Sequence, residues 1–223
     1  KHVFYQASTS EMFGKVVQVP QNETTPFYPR SPYGVSKLFS HWMTVNYRES
    51  YDLFAVSGIL FNHESPLRGN QFVTRKIVNY FVDYKSRGFR SSLSLGNLEA
   101  KRDWGHAQDY VVGMNLMLDY SPPQDFVLST GVTHSIRDFV NLVTSYLEVE
   151  LEWSGVGLHE VGVNKLTGHT LVVIDPKFYR PCEVDLLIGS SSKAEALLNW
   201  KREFNLMSLI VDMVDSQISF SKS

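Results

Sequence analysis

The stretch Ser31–Phe39 reads SPYGVSKLF and places Tyr33 four residues before Lys37. On a helix this spacing brings both side chains to one face. A lysine ammonium beside a phenol favours the phenolate, and a phenolate is a usable base. The spacing alone proves little, because a chain this rich in tyrosine and lysine supplies such a pair readily by chance. Its bland alternative is a half-buried tyrosine near a surface lysine. The surroundings add weight. Val3–Ala7 is a short apolar run, rich in aromatics, that reads as a buried strand and ends in Ser8-Thr9-Ser10-Glu11. In an open α/β sheet, ligands bind at the carboxyl ends of the strands. There Thr9 could hold a substrate oxygen while Tyr33 takes its proton, and Glu11 adds a second acid/base group. Glu11 could equally be a solvated loop carboxylate.

Further candidates stand apart in sequence. His63 follows a second buried strand, so it shares the sheet edge expected of Thr9. It could contact a cofactor or substrate, or be a satisfied structural histidine. Arg102 lies in KRDWGH just before a helix, and Arg180 and Glu183 lie in YRPCE. Arginine offers a planar donor fork suited to phosphate oxygens, and a carboxylate suits ribose hydroxyls. Surface ion pairs would explain each of them as well, and spacing cannot show that the two segments converge.

Other chemistries find no support. The nearest approach to a glycine-rich dinucleotide turn is SGVGLHEVG, with Gly155, Gly157 and Gly162; it misses the third glycine and reads as a loop. No phosphate loop of the G-x-x-x-x-G-K-[ST] kind is present. Seven histidines without ligand spacing and one cysteine, Cys182, leave no metal site. That single cysteine excludes an internal disulfide framework and fits a reducing compartment, so a cytoplasmic location is expected. A net charge of -2 and the absence of charge runs argue against nucleic acid or a membrane surface as partner. No apolar run is long enough to span a bilayer. With 43% hydrophobic residues the chain can bury a full core. It opens on Lys1 within an apolar run, which suggests a fragment or a processed product.

Elements must hold these residues in place. Ser31-Pro32 reads as an N-cap followed by proline at the first helical position, with a helix continuing to about Tyr51 and Val35, Leu38, Trp42, Val45 and Tyr47 among its apolar positions. Leu53–Phe61 is continuously apolar, as a parallel strand covered on both faces would be. Helices follow near 72–87, 107–119, 135–147, 192–200 and 206–218, and strands near 92–95, 125–130 and 171–174. The alternation argues for an α/β fold with a largely parallel sheet.

Several segments carry a resemblance that spacing cannot. VFYQASTSEMFG and TTPFYPRSPYGVSK are similar to the active-site segments of the extended short-chain dehydrogenase/reductases. ILFNHESPLRG, FVTRKI, SLGNLEAKRDWGHAQDY and YRPCEVD narrow the resemblance to the GDP-mannose 4,6-dehydratases, over about residues 3 to 215. The resemblance implies the C-terminal part of a Rossmann-type doubly wound parallel sheet plus a smaller α/β substrate-binding domain. Residues 1–61 would be the second half of the NADP-binding domain, with 107–133 returning to it, and 62–223 mainly the GDP-sugar-binding domain. It implies an NADP-dependent lyase that converts GDP-mannose to GDP-4-dehydro-6-deoxy-mannose, the precursor of GDP-fucose and other deoxyhexoses, with hydride passing from C4 to NADP and back to C6. Tyr33 would deprotonate the 4-hydroxyl, Glu11 would take the C5 proton, and Thr9 would bind the substrate hydroxyl. Lys37 would serve the nicotinamide ribose and the tyrosine, and His63 and Arg68 would contact NADP. Asn62, Val73, Lys76, Arg102, Arg180 and Glu183 would hold the GDP-sugar, and the full-length family implies a homo-oligomer.

Three departures stand out: Leu67 in place of a second arginine before Arg68, Ser190-Ser191 in place of a Gly-Asp type turn, and Arg202 in place of proline. The family's glycine-rich turn would precede residue 1. Without it the helix N-terminus that holds the pyrophosphate is lost, so these residues alone are expected not to turn over GDP-mannose. The alternatives are a non-catalytic fragment that binds a GDP-sugar or oligomerises, and another sugar-nucleotide 4,6-dehydratase, whose Asp-Glu pair would stand where this chain has Ser10-Glu11.

Overall fold

The computed structural model describes residues 2–178 and 187–222. In chain order the elements are β1 (Phe4–Thr9), α1 (Pro32–Tyr51), β2 (Ala55–Leu60), β3 (Asn62–Glu64), α2 (Val73–Arg87), β4 (Leu93–Leu95), β5 (Lys101–Arg102), β6 (Trp104–His106) and α3 (Ala107–Asp119). There follow β7 (Phe126–Leu128), β8 (His134–Ser135), α4 (Ile136–Tyr146), β9 (Leu151–Ser154), β10 (Val161–Asn164), β11 (Thr170–Ile174), α5 (Ser192–Leu198) and α6 (Leu206–Lys222). Of the described residues, those within Lys1–His63, Lys101–Thr133 and Val184–Asn205 form one compact unit. Those within Glu64–Ala100, His134–Glu183 and Leu206–Ser223 form a second.

The first unit is built on a parallel sheet in the order β1-β2-β7. β1 and β2 run in register from Phe4 opposite Ala55 to Thr9 opposite Leu60, and β2 meets β7 from Gly58 opposite Phe126 to Leu60 opposite Leu128. Every residue of β2 is buried, as its unbroken apolar sequence requires of a strand covered on both faces. One face packs Val56, Leu60, Phe126 and Leu128 against Tyr110, Met117, Ala194, Leu198 and Trp200. The other packs Ile59 and Val127 against Met12, Phe13, Phe61 and Leu187. At about 1.5–3 kcal/mol for each large apolar side chain buried, these two layers dominate the unit's stability.

α1 begins where its sequence says it should. The Ser31 hydroxyl accepts from Gly34 N at 3.0 Å, proline occupies the first turn, and Asp52 closes the helix in the left-handed region at φ 53. Its polarity is unusual. The inward positions are Gly34, His41 and Thr44 with Lys37 and Arg48 partly covered, whereas Val35 (55% exposed), Phe39 (67%) and Trp42 (55%) face outward. The expectation of a buried first strand also needs correction. β1 is the edge of the described sheet and has β2 as its one strand partner there, which leaves Val3 and Phe4 about half exposed.

The second unit has a four-stranded sheet in the order β4-β11-β10-β9, parallel between β4 and β11 and antiparallel elsewhere. α2, α4 and α6 pack on one another beside it. A capping box starts α4, with the Ser135 hydroxyl accepting from Asp138 N and the Asp138 carboxylate accepting from Ser135 N. The SGVGLHEVG stretch is the connection from β9 to β10, and the sequence gives no warning of either strand. Gly155 sits there at φ +81, and a Cβ on it would lie 2.3 Å from the His159 carbonyl, so this glycine serves a turn. No helix among the described residues is long and apolar enough to cross a membrane.

Candidate active site

The carboxyl edge of the parallel sheet gathers several of the candidate residues in the first unit. Thr9 ends β1, and its Oγ1 accepts from Glu11 N at 3.3 Å, which folds Ser10–Met12 into a tight 3-10 turn. Tyr33 is the second residue of α1 and is 53% exposed. Lys37 donates to the Ala7 carbonyl at 3.0 Å, and its Nζ stands 5.7 Å from the Tyr33 ring centroid. The helix bearing the Tyr-Lys pair is thus tied to the strand bearing Thr9.

Gly34 explains how close the two can come. A Cβ at this position would lie 2.8 Å from the Glu11 carbonyl oxygen and 3.1 Å from Pro29 Cβ. The neighbouring atoms are backbone and a rigid ring, so they cannot yield cheaply. Gly34→Ala is therefore expected to push the first turn of α1 off the Glu11 turn. We expect a loss of about 1–3 kcal/mol of stability, as for overpacking, and a fall in turnover larger than that of a comparable change at exposed Ser36. Chemical denaturation and steady-state rates check both.

His63 lies just beyond β2, whose last residue Leu60 is opposite Thr9, so both stand at the same sheet edge. Its Nδ1 lies 2.9 Å from the Phe61 carbonyl, and its ring stacks on Tyr110 at 4.9 Å. Asn62 precedes it in β3. Arg102 donates to the neighbouring Lys101 carbonyl at 2.7 Å. What fixes this segment is the next residue, Asp103, which is 1% exposed. Its carboxylate accepts from Thr130 N at 2.8 Å and Gly131 N at 2.9 Å, with the Thr130 hydroxyl at 2.6 Å. Burial raises the Asp103 carboxyl above its ordinary value, and these donors pull it back down. Sequence reasoning passed over Asp103, although a carboxylate between Arg102 and Trp104 could have flagged a buried anchor.

The remaining candidates belong to the second unit. Arg68 pairs with buried Glu64 (Nε to Oε2, 3.0 Å) and lies over the Phe72 ring at 3.4 Å. Glu64 in turn accepts from the Thr74 hydroxyl at 2.7 Å; burial raises its carboxyl, and Arg68 and Thr74 oppose that. Val73 is the first residue of α2. Lys76 donates to the Ser94 carbonyl at 2.7 Å and lies 4.3 Å above the Phe178 ring. Burial lowers the Lys76 ammonium, with Asp175 opposing and Lys177 assisting. Arg180 and Glu183 lie outside the described residues.

The departures from the family pattern have structural positions. Leu67 is 89% exposed. The buried Ser191 hydroxyl accepts from Ser129 N at 2.8 Å, and Arg202 donates to the Thr130 carbonyl. An open cleft of about 860 Å³ runs beside α1, lined by Tyr28, Pro32, Val35 and Phe39 among others. Thr9, Glu11, Tyr33 and Lys37 do not line it. Among the described residues no group of three or more His, Cys, Asp or Glu could hold a metal.

Comparison with known proteins identifies the chain's family and its fold. The model of the GDP-mannose 4,6 dehydratase family matches residues 1–213. The GDP-mannose 4,6 dehydratase of Dictyostelium discoideum is 52% identical over 220 residues, which is 99% of this chain and 62% of the relative. The human enzyme is 52% identical over 99% of this chain and 59% of its own length. The chain therefore spans about three fifths of these curated relatives. Among solved structures, RMD from Pseudomonas aeruginosa complexed with NADPH superposes with a TM-score of 0.81 at 19% identity, covering 98% of this chain and 67% of that one. The dTDP-glucose 4,6-dehydratase of Bacillus anthracis in complex with NAD gives 0.79 at 16% identity, covering 99% and 63%. The fold is thus the Rossmann-type α/β architecture that the sequence implies. By its sequence over nearly its whole length, the chain belongs to the GDP-mannose 4,6 dehydratase family.

Proposed function

We propose that the protein is an NADP-dependent lyase that converts GDP-mannose to GDP-4-dehydro-6-deoxy-mannose with the loss of one water. The observation that carries this reading is that Thr9, Glu11, Tyr33 and Lys37 stand at one sheet edge in a chain 52% identical to dehydratases of this kind. Tyr33 takes the proton of the sugar 4-hydroxyl while Thr9 holds that oxygen. Glu11 takes the C5 proton and passes it to the 6-hydroxyl, which leaves as water, and the proton held by Tyr33 returns to C5 as the product forms. Asn62, Val73, Lys76, Arg102, Arg180 and Glu183 hold the GDP-sugar.

The residues present fit a nicotinamide dinucleotide. Lys37 spends one donor on the Ala7 carbonyl and has two more N–H groups to offer ribose hydroxyls. His63 is braced at the sheet edge by Tyr110 and the Phe61 carbonyl. Arg68, held flat on Phe72, presents a fork suited to phosphate. When bound, NADP supplies reversible oxidation of the sugar carbon. The lone cysteine fits a cytoplasmic location.

The 223 residues by themselves are expected to convert neither sugar nucleotide, so the test is mass spectrometry of these residues joined to the family's glycine-rich leading segment, incubated with NADP and either GDP-mannose or dTDP-glucose. Loss of water from GDP-mannose alone is the expected result, and conversion of dTDP-glucose alone, or of neither, overturns the reading. A homo-oligomer belongs to the same proposal, supported by the outward apolar residues of α1. Phe39→Glu is expected to reduce the sedimenting mass; an unchanged mass would speak against that face as the contact.

A further inference from the structure

Consecutive residues at the end of β1 are held by consecutive turns of α1. Lys37 donates to the Ala7 carbonyl, and one turn later His41 Nδ1 lies 3.3 Å from the Ser8 hydroxyl. Ser8 is 5% exposed and His41 3%. The imidazole is wedged between Phe27 (ring centroids 5.2 Å apart) and Trp42 (5.5 Å). Its far edge faces Asp125, with Nε2 4.0 Å from Oδ2. Asp125 is locked in turn by Arg48 at 2.8 and 3.0 Å and by Ser57 N at 3.2 Å. A carboxylate on the Nε2 side favours the proton there, which leaves Nδ1 to accept from the Ser8 hydroxyl. The result is a polar line, Ser8–His41–Asp125–Arg48, hydrogen-bonded at its two ends and spanned by the 4.0 Å ion contact between, that joins β1 and α1 to the residue just before β7. Networks of this kind fix a unique geometry when every member is satisfied.

Alternation along a strand sends Ser8 to one face and Thr9 to the other. His41 therefore touches none of the proposed reacting groups, yet it holds the residue immediately before Thr9. We propose that His41 is a positioning residue, whose neutral ring pins Ser8 and thereby sets the place of the Thr9–Glu11 turn relative to Tyr33 on the same helix. This deepens the dehydratase reading and rests on it for its consequence in turnover.

The pin is sensitive to acid. Burial lowers the His41 imidazole below its ordinary value; Asp125 opposes this and Arg48 assists it. The other charged groups at this network face Asp125: Lys193 donates to its carbonyl at 2.7 Å, and Glu23 lies beside Lys193 and accepts from Val127 N. A histidine that binds its proton less readily when folded contributes stability that is complete above about pH 6.5 and is lost as pH falls through its folded value.

Three variants test the proposal. His41→Leu removes both nitrogens, His41→Asn returns a polar atom near the position of Nδ1, and Ser8→Ala removes the partner. We expect His41→Leu to lower kcat for GDP-mannose by about tenfold, as misplacement of a reacting group does, with KM within about twofold. His41→Asn should recover most of that loss, and Ser8→Ala combined with His41→Leu should be no worse than His41→Leu alone. The wild-type thermal midpoint should fall as the pH drops below about 6.5, and that of His41→Asn should fall less. Equal damage from Asn and Leu, or fully additive losses in the double variant, would overturn the proposal. Ring nitrogen shifts of His41 followed by NMR give a reading that needs no turnover. A shift at Nδ1 on Ser8→Ala supports the pin, and no shift sinks it, even if GDP-mannose proves not to be the substrate.

Discussion

Tyr33→Phe is expected to abolish nearly all dehydration of GDP-mannose, lowering kcat by about 10²–10⁴-fold, the range for loss of a general base. The change removes one oxygen from a residue that is 53% exposed. Exposed substitutions of this kind usually alter stability by within about 0.5 kcal/mol, so the unfolding midpoint should hardly move. KM for the sugar nucleotide should also hold, because the phenol acts in the reaction and the phosphates are bound elsewhere. Lys37→Met makes a contrasting control. It loses the bond to the Ala7 carbonyl as well as the charge near the ring, so it should lower both turnover and stability. A Tyr33→Phe protein that kept more than a tenth of wild-type turnover would remove Tyr33 from the reaction.

The largest loss of stability is expected from Asp103→Ala. The carboxylate is buried and collects Thr130 N, the Thr130 hydroxyl and Gly131 N. A backbone bond from Gly189 also reaches it. Removing it takes the acceptor from the Thr130 and Gly131 amides, while the Thr130 hydroxyl keeps the Val132 carbonyl at 3.0 Å. Hydrogen bonds to a charged carboxylate contribute about 1.5–3 kcal/mol each, so losing several together should cost about 3–5 kcal/mol. Urea unfolding should show a lower midpoint with an unchanged slope. Asp103→Asn keeps one acceptor but turns an amide toward a donor, so its loss should be intermediate. Arg102 is the preceding residue, and both variants should raise KM for GDP-mannose more than they lower kcat. A midpoint shift worth less than about 1 kcal/mol for Asp103→Ala would contradict this account.

The fold was legible wherever local chemistry set the element. Ser31-Pro32 announced α1, and the unbroken run ending at Phe61 announced the buried strand β2 between two parallel neighbours. β9 and β10 escaped notice because each is only four residues long, neither carries an apolar run, and Gly162 interrupts β10. The burial of β1 was misjudged because an edge strand and a central one can share the same apolar letters. For the site, the motifs pointed to Tyr33, Lys37, Thr9, Glu11 and His63, but they said nothing of what holds them. Ser8, His41 and Asp103 meet partners remote in sequence, and no local spacing encodes those meetings. The polar stripe Gly34, Lys37, His41, Thr44 and Arg48 was the available clue, since a helix whose inner side is polar must find polar company.

The first unit is assembled from separated segments, and this has a consequence for the order in which the chain can fold. Val56 and Leu60 of β2 share their layer with Ala194, Leu198 and Trp200, and Trp200 Nε1 donates to the Asp109 carbonyl at 2.8 Å. Contacts so remote in sequence slow folding, because a long loop must close before they contribute. During synthesis β1, α1 and β2 would emerge early, yet one side of their sheet could not be sealed until Trp200 had left the ribosome. Until then the strands would present open apolar surface, the condition under which nascent chains need chaperones. A stop codon shortly before residue 200 would therefore unseat the sheet that carries Thr9, although it removes no residue near it in sequence.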